Sequence, residues 1–321
     1  MPLNESSTSV VVLATGICLI CVFILLTVFG SVLVSTAFYL NNNLRTRTNA
    51  FFLSLVTADI LIALFVMPME VVLLSYYPYW PLGGSACNIW SSLFVALGSA
   101  SICNLCAIAV DRFLAISRPL RYCSDISSSV IVSLVFLWSF AVFSGIASYF
   151  IWTQPDPLAC SILTAPLESS VLFLVFDLLL PFVICVLTYA KIFQISRQQV
   201  RKIATTQGWI DRKSNPLSMV RKSAKTLSVL VGAFAISFFP FLVFHAVDGA
   251  LKENLPNRFY YGSVVRWLTF ANSAINWALY GILNVEYRQA LAKIFKLLGC
   301  RRNTCRRDIR QLNSTEVYTI S

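Results

Sequence analysis

Residues 87–122, CNIWSSLFVALGSASICNLCAIAVDRFLAISRPLRY, decide the fold of this chain. About twenty residues without a charge separate Cys87 from Asp111-Arg112-Phe113, enough for a helix to cross ~30 Å of hydrocarbon. An acid and a base at the end of such a run are costly unless they are paired or reach the interface. A basic, proline-containing loop follows, Ser117-Arg118-Pro119-Leu120-Arg121.

The rest of the chain has the same character. It is 57% hydrophobic and 12% charged, where a soluble domain carries about 25% charged residues. The pattern predicts an all-α membrane protein with apolar spans near 11–40, 49–76, 86–110, 127–152, 169–196, 226–247 and 261–284. The first run is too long for a cleavable leader and lacks a basic flank before it, so it is predicted to be the first span. The predicted organisation is an outer segment 1–10, a seven-helix domain 11–284, an amphipathic helix 285–299 and an inner tail 300–321.

A net charge of +11 would suit nucleic acid, but its distribution excludes that reading. Only Lys252, Arg258 and Arg266 fall on the side of the N-terminus; every other Lys and Arg falls on the opposite side. By the positive-inside rule the N-terminus is predicted outside and the C-terminus inside, with the basic face toward anionic lipid and a cytosolic partner. Most of the ten cysteines lie within spans, where a free thiol acts as a small apolar group. Cys87 and Cys160 fall on the outer, oxidising side, and a disulfide between them is predicted to tie the second outer loop to the third span. Asn4-Glu5-Ser6 is an outer glycosylation acceptor. Asn313-Ser314-Thr315 has the same form but lies on the inner side.

Polar residues at membrane depth mark function, because each needs a partner. Asp59 sits in the middle of the second span, either as a structural hydrogen-bond anchor or as part of a cation site. Asp177 lies one turn outside Pro181 in the fifth. Glu70 and Arg266 stand near the outer edge and are able to neutralise each other. His245, the only histidine, is read as a solvated hydrogen-bond donor, and Trp138 as a packing aromatic. Pro68, Pro181 and Pro240 should kink their spans, which is tolerated where neighbours re-satisfy the freed backbone. After Glu286, an apolar stripe of Tyr287, Ala290, Leu291, Ile294, Phe295 and Leu298 suits a helix lying in the membrane interface. Cys300 at its end is a candidate palmitoylation site, with Cys305 a weaker one.

The stretch 87–122, with Asp111-Arg112-Phe113 in place of Asp/Glu-Arg-Tyr, resembles the third span of rhodopsin-like (class A) G-protein-coupled receptors. Asn276-Trp277-Ala278-Leu279-Tyr280 resembles their Asn-Pro-x-x-Tyr, with Trp277 for proline. Within the family the chain is most similar to dopamine receptors of the adenylyl-cyclase-stimulating class, on TNAFFLSLVTADILIALFVMP, SASICNLCAIAVDRFLAIS and TYAKIFQISRQQVRKIA. The resemblance implies a plasma-membrane receptor that couples to a heterotrimeric G protein and raises cyclic AMP. It implies a sodium site of Asp59, Ser101, Asn272, Ser273 and Asn276, with sodium as an allosteric ligand and no other cofactor. It implies a core switch of Pro181, Ile102 and Phe234, and a coupling face of Asp111, Arg112, Tyr189 and Tyr280. Val220 stands where many amine receptors carry a glutamate that pairs with the motif arginine. On that reading Arg112 keeps Asp111 as its nearby partner and basal signalling is raised.

The implied ligand pocket departs from the family. Phe94 lies eighteen residues before Arg112, where amine receptors have an aspartate. The rest of the pocket reads Val95, Phe173, Asp177, Phe238, Phe241, Leu242, His245, Arg266 and Phe270. A protonated amine without a counter-charge bears a desolvation cost of several kcal/mol, so an amine ligand is disfavoured at Phe94. Asp177 either anchors an amine in a reversed pose or is a buried, protonated acid beside a neutral or lipid-like ligand.

Other classes fare worse. The retinal lysine of a photoreceptor matches Phe270. A transporter would show inverted repeats and broken helices, and none is seen. No phosphate loop, nucleophile elbow or histidine-rich metal site suggests an enzyme. A non-signalling decoy of the receptor fold is the remaining alternative, since Ser31, Phe238 and Trp277 each replace a family landmark.

Overall fold

The structure is a computed structural model that describes residues 3–117, 122, 128–151, 160, 171, 174–206, 216–250 and 257–299. Side chains are not described at 3–9, 174, 177, 178, 189, 196–206, 216–228, 242, 246, 249, 250, 285 and 295–299. Among the described residues the chain is a bundle of seven helical spans. The first is α1 (Leu3–Leu40). The second joins α2 (Arg47–Leu61) through a π-helical turn, Ile62–Val66, to α3 (Met67–Tyr76). The third and fourth are α4 (Gly83–Ser117) and α5 (Ser128–Ile151). The fifth is a π-helical turn, Leu174–Leu179, running into α6 (Leu180–Thr206). The sixth and seventh are α7 (Pro216–Ala250) and α8 (Arg258–Leu283), and α9 (Val285–Gly299) follows as a separate helix.

The first four spans are long and apolar enough to cross a membrane, with apolar stretches Val10–Leu40, Arg47–Tyr76, Gly83–Ser117 and Ser128–Ile151. The apolar parts of α6 and α7, Leu180–Ile195 and Val229–His245, are shorter. Large apolar side chains such as Phe136, Phe143 and Phe150 point outward at 69–74% exposure, as a lipid-facing surface requires.

Helix α4 is the axis of the bundle, packing against α2, α5 and α6. Two large cores lie along it, beside a small cluster of Ala58, Ala100, Leu137 and Ala141. The inner one gathers Phe52, Leu55, Ile102, Leu105, Phe234, Tyr280 and Tyr287. The outer one gathers Met67, Leu73, Trp80, Trp90, Phe244 and Phe270.

Local chemistry explains the irregularities. The π-helical turn before Pro68 shifts the hydrogen-bond register, and the Trp90 indole N–H donates to the Val66 carbonyl at 3.0 Å. Pro240 sits within a continuous α7. Helix α8 also runs on without a break through Trp277, and its indole occupies the notch left by Gly30, where a Cβ would collide with the ring.

Helix α9 modifies the sequence reading. Part of its apolar stripe turns inward: Tyr287, Ala290 and Ile294 are buried in the inner core. The Tyr287 ring meets Phe52 and Tyr280 edge-on at 5.7 and 5.3 Å. The side chains of Phe295 and Leu298 lie outside the described ones.

Candidate receptor site and coupling face

Three sets of residues follow one another down the bundle. At the outer end Cys87 and Cys160 form the expected disulfide, with Cα atoms 5.6 Å apart. Glu70 and Arg266, both buried, form a bidentate pair at 2.8 and 3.0 Å. Ser263 accepts from Arg266 at 2.9 Å and Trp267 donates to Glu70 at 3.2 Å. The two charges neutralise each other, and neither is free to meet a ligand's charge. A second bidentate pair joins Asp248 on α7 to Arg258 on α8 at 2.7 and 2.8 Å.

Below them the pocket is aromatic. Phe94 lies 5.3 Å from Phe241 and 6.1 Å from Phe270 between ring centroids. Phe241 packs on His245 at 4.2 Å. His245 is not the solvated donor that its outer position suggested: its Nε2 is buried without a hydrogen-bond partner. Val95 is half-buried beside the outer core. The backbone of Asp177 lies in the π-helical turn before Pro181, but its side chain, and that of Leu242, are not among those described, and Phe173 lies outside the described residues. A cavity of about 20 Å³, lined by Phe94, Phe238 and Phe270 above and Ser101, Asn272 and Ser273 below, connects this pocket to the next set. Such a space holds one water or ion, since a water needs roughly 10–15 Å³.

The middle set is oxygen-rich. Asp59 is buried, and Asn276 donates to its Oδ2 at 3.1 Å. The Ser273 hydroxyl stands against the same carboxyl. Asp59 Oδ1, Ser101 Oγ, Asn272 Oδ1 and Asn276 Oδ1 are buried and have no hydrogen-bond partner; so is Asn104 Oδ1, which the sequence reading did not include. Oxygen donors without protons to receive are the set a hard cation takes. The residues fit a sodium ion.

The inner set corrects one expectation. Asp111 pairs with Arg47, at 3.5 Å between Nε and Oδ1, rather than with Arg112. Asp111 Oδ2 accepts from Thr48 Oγ1 in a short hydrogen bond, and from Tyr122 at 2.9 Å. Burial, and then the Asp111 charge, hold the Tyr122 phenol above its ordinary pKa, so it remains a donor. The Arg112 guanidinium instead stands beside the Tyr280 hydroxyl, which donates to Asn49 Oδ1 at 2.8 Å. Phe52 stacks on Tyr280 with centroids 3.5 Å apart. Arg47, Thr48 and Asn49, the first turn of α2 behind its N-cap Thr46, therefore grip both family motifs. Sequence reading began the second span at residue 49 and gave none of these three residues a role.

Ile102 and Phe234 share the inner core, and Pro181 is buried. The side chain of Tyr189 and the side chain of Asn4 are not described, and Cys300 lies outside the described residues. Trp138 does more than pack: its indole donates to Ser54 Oγ at 3.0 Å.

Comparison with known proteins agrees with this architecture. Residues 30–280 match the family model described as 7 transmembrane receptor (rhodopsin family). The histamine H2 receptor of Rattus norvegicus is 33% identical over 302 residues, covering 91% of this chain and 82% of that protein. The alpha-1A adrenergic receptor of Cavia porcellus is 28% identical over 320 residues, covering 88% and 67%. Trace amine-associated receptor 9 of Rattus norvegicus is 29% identical over 302 residues, covering 87% and 88%. The chain belongs to the rhodopsin family of seven-transmembrane receptors, in its aminergic class. It is a multi-pass membrane G-protein-coupled receptor, and its partners by class are a heterotrimeric G protein and a small ligand.

Proposed function

We propose that this receptor lies in the plasma membrane with its N-terminus outside, couples to the stimulatory G protein and raises cyclic AMP with appreciable activity before any ligand binds. The observation that carries this reading is the inner face: Asp111 is engaged by Arg47, Thr48 and Tyr122, while Arg112 faces Tyr280. A resting arginine tied to its own acid is missing, and the active packing loses a competitor. Choice of the stimulatory class rests on the likeness of the inner halves to dopamine receptors of that class.

The ligand is a small, largely apolar or aromatic molecule. The three relatives carry amine-receptor names, but Phe94 fills the anchor position and packs against Phe241 and Phe270. Glu70 offers no spare charge, because Arg266 holds both its oxygens. A sodium ion held by Asp59, Ser101, Asn104, Asn272, Ser273 and Asn276 favours the resting packing.

A ligand-free cyclic AMP assay at matched surface expression, with Arg112→Ala as control, tests the reading. Cyclic AMP above mock cells that falls in Arg112→Ala is the expected result. A flat signal in both refutes it, and capture of another G-protein class overturns the stimulatory assignment.

A further inference from the structure

We propose that Arg47 is a positioning residue of the coupling face, taking the carboxylate of Asp111 away from Arg112. The inference rests on the reading that this face engages a G protein, and it names the residue that sets its resting bias.

The geometry is specific. Asp111 Oδ2 is used by two hydroxyls, Thr48 and Tyr122. Oδ1 is buried and accepts no hydrogen bond, and Arg47 Nε stands 3.5 Å from it. Arg112 must therefore compete with Arg47 for that oxygen. Arg47 has two further contacts and is only 20% exposed: Nη2 donates to Ser129 Oγ at 3.2 Å, and the guanidinium lies 5.6 Å from the centre of the Tyr122 ring. The ring contact favours a cation.

Position strengthens the case. Arg47 is the first residue of α2. A cation there opposes the positive end of the helix dipole, so its placement needs a compensating carboxylate. Asp111 supplies it, and the same dipole stabilises Asp111. The next residue but one, Asn49, receives Tyr280. One turn of α2 thus withdraws the acid from Arg112 and holds the tyrosine that Arg112 faces.

The test compares basal cyclic AMP per surface receptor for wild type, Arg47→Ala and Arg47→Lys, each with Asp111 and with Asp111→Asn. Arg47→Ala is expected to lower the signal about two- to fivefold, the range set by a partly exposed ion pair. Arg47→Lys keeps the cation and is expected to restore most of it. In Asp111→Asn the effect of Arg47→Ala disappears. An unchanged or higher signal in Arg47→Ala, or an equal fall in Asp111→Asn, overturns the proposal. A second readout is independent of coupling: a fluorine label on a cysteine replacing Ser223, at the inner end of α7, with Cys18, Cys21, Cys123, Cys300 and Cys305 replaced by serine. Arg47→Ala is expected to shift the label toward its resting population. That arm reads Arg47 even if wild type raises no cyclic AMP, a result that would sink the coupling reading alone; an unshifted label overturns the role of Arg47.

Discussion

Tyr280 donates its hydroxyl to Asn49 Oδ1 at 2.8 Å, one residue from Thr48, which donates to Asp111. Two motifs far apart in sequence meet on adjacent residues of α2. Asn49 is fully tied, since its amide also donates to the Leu44 carbonyl at 2.9 Å.

Tyr280→Phe leaves Asn49 Oδ1 buried and unpaired, and is expected to cost about 1–3 kcal/mol. Tyr287→Phe makes the contrast, because the Tyr287 hydroxyl is buried without a partner. Its removal is expected to be neutral or stabilising. Thermal unfolding of the purified receptor reads both, and equal losses would contradict the assignment of partners.

The Glu70–Arg266 pair is expected to show strong non-additivity. Arg266→Leu alone strands a buried carboxylate, at about 3–5 kcal/mol. Glu70→Leu combined with Arg266→Leu should recover most of that. A double-mutant cycle on the unfolding temperature measures it; additive losses would mean that the pair is not coupled.

Phe94→Asp should create an amine response. Wild type is expected to ignore a panel of aromatic amines, for want of a counter-charge worth several kcal/mol. Cyclic AMP dose–response curves decide this, and a wild-type amine response abolished by Asp177→Asn would favour an anchor on the fifth span instead.

Sodium should depress basal signalling through Asp59. Replacing sodium by a large organic cation is expected to raise guanine-nucleotide exchange in wild-type membranes and to leave Asp59→Ala unmoved. Equal sodium sensitivity in both would remove Asp59 from the site.

Gly30→Ala should drive a methyl group into the Trp277 indole, at about 1–3 kcal/mol for overpacking. Trp277→Ala in the same chain is expected to relieve it, again by thermal unfolding. Absence of relief would place the strain elsewhere.

The spans, the disulfide and the charged pair at the outer edge were legible because each follows from a local rule: hydropathy and length, compartment, or the need of an intramembrane charge for a partner. The α2 platform was not. Thr48 and Asp111 are 63 residues apart, and Asn49 and Tyr280 are 231 apart, so no periodicity links them. Adjacency of Asp111 and Arg112 suggested a pair, but in the fold Arg47, Thr48 and Tyr122 take the carboxylate. The inward part of α9 was missed for a similar reason. An amphipathic stripe states which residues avoid water, not whether lipid or protein covers them.

The outer end of α4 is pinned by the Cys87–Cys160 disulfide and by the stack of Trp80 on Trp90 at 5.5 Å. Its inner end carries Arg112 far from that anchor. At 1.5 Å per residue, Phe94 lies about 10 Å from Cys87 along the axis and Arg112 about 37 Å. Treated as a rigid rod pivoting at its anchored end, the helix is a lever with a ratio of about 3.6. A shift of about 0.5 Å at Phe94 becomes about 1.8 Å at Arg112 on that geometry. A ligand that presses on this ring is then expected to change the distance between Arg112 and Tyr280, with the change scaling with ligand size.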